Sequence, residues 1–341
     1  MKRQTKIICT LGPASRTAET ITRMARAGMD IVRINFSHGD HSQHQALIDA
    51  VRKVNAKIKT NIKILQDLEG YRIRIGHLRR PVALTKGQHI WMVAMDRSRG
   101  KDIPLEFSGD VRVIKKGMCV FVDDGKIFLK VLGCAGQRIR LQVEQGGFLK
   151  SRKGVNIPEM HLQSNILTDK DREDMDFGIK HEVDLIAQSF VRNKRDILRV
   201  AHRVKTGLPQ CRIIAKIENR QGVRNVSSII DGCDGIMVAR GDLGVSLPIY
   251  QIPLIQKDII RRCNKKKKFV ITATQMLESM TEEIRPTRAE VSDVANAILD
   301  GTDYVMLSGE TAVGRFPVKS VEMMRQIIEF TEKSMYYSAL R

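Results

Sequence analysis

Eight short runs of apolar and β-branched residues recur along the chain: Lys6–Leu11, Asp30–Phe36, Ile62–Leu68, Asp184–Phe190, Arg212–Glu218, Gly235–Ala239, Phe269–Thr274 and Asp303–Leu307. Each is almost continuously apolar, as a strand buried on both faces of a parallel sheet is. Between most of them apolar residues fall three and four apart, which predicts helices over Ala18–Ala27, His44–Val54, Lys194–Lys205, Val223–Ile230 and Ile252–Asn264. A last helix, about Val318–Met335, follows Pro317. Strand then helix, repeated around a ring, is the α/β order of a (β/α)8 or TIM barrel.

One interval breaks this rhythm, between the runs ending at Leu68 and beginning at Asp184. From about His77 to Arg152 the text changes to short alternating runs: Val111–Ile114, Met118–Val122, Ile127–Leu132 and Arg138–Val143. Asp123-Asp124-Gly125 between two of them is a hairpin signal. The expected organisation is a barrel from residues 1–76 and 153–341 with an inserted small all-β domain at 77–152, attached at the C-terminal end of strand three and so placed to act as a lid. Thr168 is the expected N-cap of a helix over Asp169–His181.

A 42% hydrophobic content over 341 residues is enough for a sizeable core. No apolar run approaches the roughly 18 residues of a membrane span. Met1–Thr5 leads directly into the first run and leaves no room for a targeting segment. A cytoplasmic protein is therefore expected. The six cysteines show no CxxC spacing and read as buried reduced thiols. The net charge of +20 suits nucleic acid and phosphorylated small substrates alike. Basic residues are dispersed, as at Arg23, Arg52, Arg199 and Lys257, and aromatics are only 5%, so no base-stacking platform emerges. The block Lys265–Lys268 reads as a solvated loop.

A barrel places its chemistry at the strands' C-terminal ends. There the second run carries Arg33, Asn35 and Ser37, the third Asp67, the fourth Ser189, the fifth Lys216 and Glu218, the sixth Arg240-Gly241-Asp242, the seventh Thr274 and the eighth Ser308 and Glu310. Alternation puts Lys216 and Glu218 on one face of their strand. Arginine at such a position suits phosphate, and paired carboxylates suit a hard divalent cation such as Mg2+.

The motifs KIICTLGPAS (Lys6–Ser15), RINFSHG (Arg33–Gly39), KGVNIP (Lys153–Pro158), KIEN (Lys216–Asn219), VARGDLG (Val238–Gly244), ATQMLESM (Ala273–Met280), RPTRAEVSDVANAILDG (Arg285–Gly301) and VMLSGETA (Val305–Ala312) resemble those of pyruvate kinases across nearly the whole chain. The resemblance implies transfer of the phosphoryl group of phosphoenolpyruvate to ADP, giving pyruvate and ATP. It implies Glu218 and Asp242 as ligands of Mg2+ or Mn2+, and Lys216 as the cation that neutralises the phosphoryl group and the enolate. Gly241, Asp242 and Thr274 would hold the substrate carboxylate, and Arg33 and Arg74 the phosphates. Ser308 and Glu310 would relay a proton, and Asn35, His38 and Lys153 would face the nucleotide with Arg33 and Arg74. The surroundings of the family's potassium ion would be Asn35, Ser37, Asp67 and Leu68.

The chain departs from the family in three places. Where the family often has a glutamate in the turn after the strand-three aspartate, this chain has Arg72. An internal cation there would remove the need for K+, unless Arg72 faces solvent. The family's C-terminal regulatory domain does not follow the eighth helix, so fructose bisphosphate activation is not expected. Gln43 and Ser246 replace a common tyrosine and glutamate, which leaves the nucleotide preference open. A homo-oligomer through the barrel is expected. Two other readings stay open: a metal-dependent lyase or aldolase forming a pyruvate enolate, and a catalytically silent basic scaffold.

Overall fold

The computed structural model describes residues 3–94, 102–107, 109–123, 125–160 and 167–334. The expected hairpin residue Asp124 and helix end Met335 lie outside them. The chain forms two compact units, Met1–Gly70 with Leu167–Arg240 and Tyr250–Arg341, and Tyr71–Ile166 with Gly241–Ile249.

In the first unit eight strands close into a barrel: β1 (Lys6–Thr10), β2 (Met29–Asn35), β3 (Lys63–Asp67), β4 (Leu185–Gln188), β5 (Arg212–Ile217), β6 (Gly235–Ala239), β7 (Phe269–Ala273) and β8 (Tyr304–Leu307). Every neighbouring pair is parallel. These are the eight runs read from the sequence, with Gly235–Ala239 unchanged and the others shifted or trimmed by one to three residues. Period-two alternation sends Ile8, Ile31, Leu65, Leu185, Ala187, Ile214, Met237, Ile271, Ala273, Tyr304 and Met306 into one buried apolar cluster.

The helices start where the sequence supplies caps. Thr17, Asp40 and Asn193 each accept a backbone N–H with their side chains. Thr168 and Asp171 form a capping box, as do Thr287 and Glu290. The helix expected over Val223–Ile230 is broken into Arg220–Arg224 and Val226–Ile230. The break falls at Asn225, whose side chain donates to the Arg192 carbonyl at 2.8 Å and so fixes the chain there. Sequence periodicity had not indicated the helix Arg288–Leu299.

The base of the barrel has a regular device. Asp184, Asp234 and Asp303 immediately precede β4, β6 and β8 and Asp30 is the second residue of β2; their carboxylates accept the N–H of the second residue of each odd strand: Ile7 at 2.8, Ile64 at 2.8, Ile213 at 2.8 and Val270 at 2.9 Å. The amides of Asp184, Asp234 and Asp303 donate in return to the carbonyls of Ile64, Ile213 and Val270. Three of these strand ends are thus closed by a two-point clamp and the fourth, at Asp30, by its carboxylate. Asp303→Ala is expected to lower stability by about 1–3 kcal/mol, read by thermal denaturation, with turnover unchanged because the base is remote from the strands' C-terminal ends.

The second unit has its own apolar core, including Ile75, Met92, Leu105, Val122, Leu129, Leu141 and Val143. Seven strands close around it among the described residues. The expected hairpin joins Cys119–Val122 to Ile127–Ala135, with Asp123 and Gly125 at φ 53° and 87° supplying the reversal. Val111–Val113 is a 3₁₀ turn and not the strand that its alternation suggested. Asp110 caps it by accepting the Arg112 N–H at 2.9 Å, and a segment so short can satisfy its apolar face in either form.

All six cysteines are free; Cys9, Cys211, Cys233 and Cys263 are buried as expected, whereas Cys134 is exposed. In the basic block, Lys266 pairs with Asp231 and Lys268 donates to the Cys233 carbonyl. No helix among the described residues is long and apolar enough to cross a membrane.

Candidate active site

The alternation that fills the barrel with Ile8, Ile31, Leu65, Ala187 and Ile214 brings Thr10, Arg33, Asp67, Ser189 and Lys216 to the same face two residues on. The apolar plug is thus capped by a polar layer at the strands' C-terminal ends. Arg33 Nε donates to Asp67 Oδ2 at 2.6 Å, and Arg33 Nη1 donates to the Thr10 hydroxyl at 3.0 Å. Lys216 Nζ lies 3.0 Å from Asp67 Oδ1 and 3.0 Å from Glu218 Oε1, and donates to Ser189 Oγ at 2.7 Å. Ser189 in turn donates to the Leu68 carbonyl at 2.7 Å. The Phe190 N–H donates to Glu218 Oε2 at 2.6 Å.

This is a quartet of two cations and two carboxylates, buried except for partly exposed Arg33. Asp67 and Glu218 are each 1% exposed and Lys216 8%. Burial alone would raise the Asp67 carboxyl, but Lys216 and Arg33 together outweigh it and hold that carboxyl below its ordinary value. An amine facing two carboxylates acts as a fixed ammonium. Such a layer suits a reaction in which negative charge moves and no covalent bond to protein is needed.

The seventh and eighth strands add groups of another kind. Thr274 and Gln275, just past β7, both have left-handed backbones, with φ 69° and 53°. Arg240 holds that turn: its guanidinium donates to the carbonyls of Thr274 at 2.6 Å and Gln275 at 2.9 Å. Glu310 is fully buried, and its carboxylate accepts the N–H groups of Leu277 at 3.0 Å and Ser308 at 2.7 Å. Burial pushes the Glu310 carboxyl above its ordinary value despite those donors. The hydroxyl of Ser308 is buried with no hydrogen-bond partner among the described residues.

The remaining sequence-predicted residues divide between the units. In the first, the Asn35 side chain accepts the Ser37 N–H at 3.2 Å, the His38 N–H donates to the Asn35 carbonyl at 3.3 Å, and Leu68 is buried. His38 is exposed. In the second, Gly241 and Asp242 lie in the helix Arg240–Ser246, of which only Arg240 belongs to the barrel unit. Arg72 Nη2 stands 3.4 Å from Asp242 Oδ1 and packs on Gly154, where a Cβ would come within 2.7 Å of the guanidinium. Arg74 donates to the Arg152 carbonyl at 3.0 Å, and Lys153 pairs with Asp123 at 2.8 Å.

The strand-end reading left Thr10 unremarked and gave Ser189 and Arg240 no role. Thr10 and Ser189 were open to discovery from alternation, two residues beyond Ile8 and Ala187. Arg240 gives no such signal, since the carbonyls that it holds lie more than thirty residues away in sequence.

The family model for the pyruvate kinase barrel domain matches residues 2–321. The pyruvate kinase of Thermococcus litoralis is 46% identical over 343 residues, covering 99% of this chain and 72% of the relative. The pyruvate kinase of Staphylococcus aureus (strain USA300) is 42% identical over 343 residues, covering 99% of this chain and 58% of the relative. The chain thus spans less than two thirds of the staphylococcal protein's length.

Proposed function

The chain belongs to the pyruvate kinase family, and on that premise we propose that it transfers the phosphoryl group of phosphoenolpyruvate to ADP, giving pyruvate and ATP in the cytoplasm. The observation that carries the reading is the quartet Arg33, Asp67, Lys216 and Glu218. Lys216 is held rigid by Asp67, Glu218 and Ser189, so its charge is in place before substrate arrives. Preorganised charge of this kind stabilises a transition state without reorganisation.

In this scheme Arg33 and Arg74 bind phosphate oxygens, with Asn35, His38 and Lys153 toward the nucleotide. The Gly241 and Asp242 amides and the Thr274 hydroxyl orient the substrate carboxylate. As the phosphoryl group leaves, Lys216 offsets the negative charge that remains on the enolate oxygen. Ser308 and Glu310 then serve the proton delivered to the enolate carbon; a carboxyl raised by burial keeps its proton to a higher pH than an ordinary one.

Glu218 and Asp242 fit a magnesium or manganese ion by donor chemistry, since both offer hard carboxylate oxygens and Glu218 is already fixed by the Phe190 N–H. Among the described residues no group of three or more His, Cys, Asp or Glu could hold a metal. Magnesium is commonly held by only one or two carboxylates with substrate phosphates. The bound ion would supply positive charge to the phosphoryl oxygens.

The Arg72–Asp242 pair supports independence from K+, since a guanidinium already supplies a monovalent charge beside that carboxylate. A coupled pyruvate assay with Mg2+ tests both readings. Pyruvate is expected to form only when phosphoenolpyruvate and ADP are both present, and at an undiminished rate when tetramethylammonium replaces K+. Pyruvate release without ADP would point to a lyase, and a rate that returns only on adding KCl would remove the role given to Arg72. Fructose bisphosphate added to the same assay is expected to leave the saturation curve in place. Exposed Tyr250 and Leu254, at 76% and 72%, support a homo-oligomer formed through the barrel, which sedimentation would detect.

A further inference from the structure

We infer that Arg240 is a positioning residue for Thr274. The inference rests on the proposed role of the Thr274 hydroxyl at the substrate carboxylate. Thr274 and Gln275 are consecutive non-glycine residues in the left-handed region, at φ 69° and 53°. β-branched Thr274 is strained there, and two non-glycine residues in succession persist in that region only when their surroundings over-determine them. Left to local preference, the chain would leave β7 in another direction and carry the Thr274 hydroxyl with it.

A guanidinium grips the carbonyls of both residues. Arg240 Nε donates to the Thr274 carbonyl at 3.1 Å and Nη2 to the same oxygen at 2.6 Å. Nη2 also reaches the Gln275 carbonyl at 2.9 Å and Met276 Sδ at 2.9 Å. Nη1 donates to Asp293 Oδ2 at 2.6 Å and to Gln256 Oε1 at 3.4 Å. The head group is anchored on one edge by a carboxylate from the helix Arg288–Leu299 and presents its other edge to the strained turn. Its side chain is 10% exposed, so water does not compete for those carbonyls freely. A lysine could not substitute, because its single ammonium lacks the planar fork that grips two carbonyls while facing a carboxylate.

Thr274 Oγ1 donates to the Ala273 carbonyl at 2.6 Å, a bond that its proton exchanges for one to the substrate carboxylate in the proposed role. Arg240 thus acts on the reaction through backbone geometry. This separates it from the quartet, whose groups line the polar layer themselves.

The test is Arg240→Lys in a double-mutant cycle with Thr274→Ala. Arg240→Lys alone is expected to lower kcat/KM for phosphoenolpyruvate by about 100-fold, the scale of an ångström's misplacement, with KM for ADP held within about twofold. In the Thr274→Ala background the same change is expected to cost less than about threefold, because the group it positions is gone. Additive losses, or an unchanged kcat/KM, would overturn the inference. If Arg240→Lys does not fold, Asp293→Asn replaces it in the cycle, with about a tenfold loss expected alone and none beside Thr274→Ala. A crystal structure of the folded variant decides the matter independently of activity: Thr274 and Gln275 should leave the left-handed region, and an unmoved turn overturns the inference. If the unaltered protein makes no pyruvate, the proposed function fails while that structural result still stands or falls by itself.

Discussion

Lys216→Met is expected to lower turnover by about a thousandfold, the loss seen when a preorganised group facing the transition-state charge is removed. Binding of Mn2+, followed by water-proton relaxation, should stay within a few-fold, because Glu218 keeps its contact with the Phe190 N–H. The same change leaves Glu218 buried without its cation. Breaking a buried pair costs about 3–5 kcal/mol, and the lower end is expected here because Arg33 still pairs with Asp67. Turnover near that of the unaltered protein would remove Lys216 from the mechanism.

Asp67→Asn should have the largest effect on stability. It removes a carboxylate that Arg33 and Lys216 share, leaving partly buried Arg33 facing a neutral amide and Lys216 with Glu218 as its remaining carboxylate. The expected loss at neutral pH is about 3–5 kcal/mol. The dependence on pH identifies the cause. Although burial opposes it, Lys216 and Arg33 hold the Asp67 carboxyl below its unfolded value of 3.8. A depressed carboxyl contributes stability that is complete above that unfolded value and is lost as the pH falls through the folded one. Urea unfolding of the two proteins should therefore differ fully at neutral pH and converge in acid below 3.8. A gap that does not change with pH would mean that packing, and not charge, holds Asp67 in place.

Much of this was legible in the chain because buried parallel strands advertise themselves. Gly235–Ala239 is apolar throughout, and Arg212–Ile217 is interrupted only by Arg212 at its start and Lys216 near its end, so neither run gives a misleading period. The second unit was harder to read. Its strands shrink to three residues at Ile73–Ile75, Val82–Leu84 and Gly154–Asn156, too short for alternation to register, and a 3₁₀ turn imitates one of them. Among the site residues, those lining strand ends followed from position alone. That Asp67 serves two cations at once was hidden, since Arg33 and Lys216 reach it from strands far apart in sequence. The tethering of Thr274 by Arg240 was hidden for the same reason: side-chain reach across elements leaves no local pattern.

The aspartates at the base of the barrel bear on how the chain could be rewired. Each clamp joins an odd strand to the even strand that follows it: Ile7 to Asp30, Ile64 to Asp184, Ile213 to Asp234 and Val270 to Asp303. None spans β2 to β3, β4 to β5 or β6 to β7. The ring is in this sense four staples laid edge to edge. A circular permutant opened between β4 and β5, in the connection after the helix Lys194–Gly207, would keep every staple within one continuous stretch of chain. One opened between β5 and β6 would ask the two new ends to find each other again.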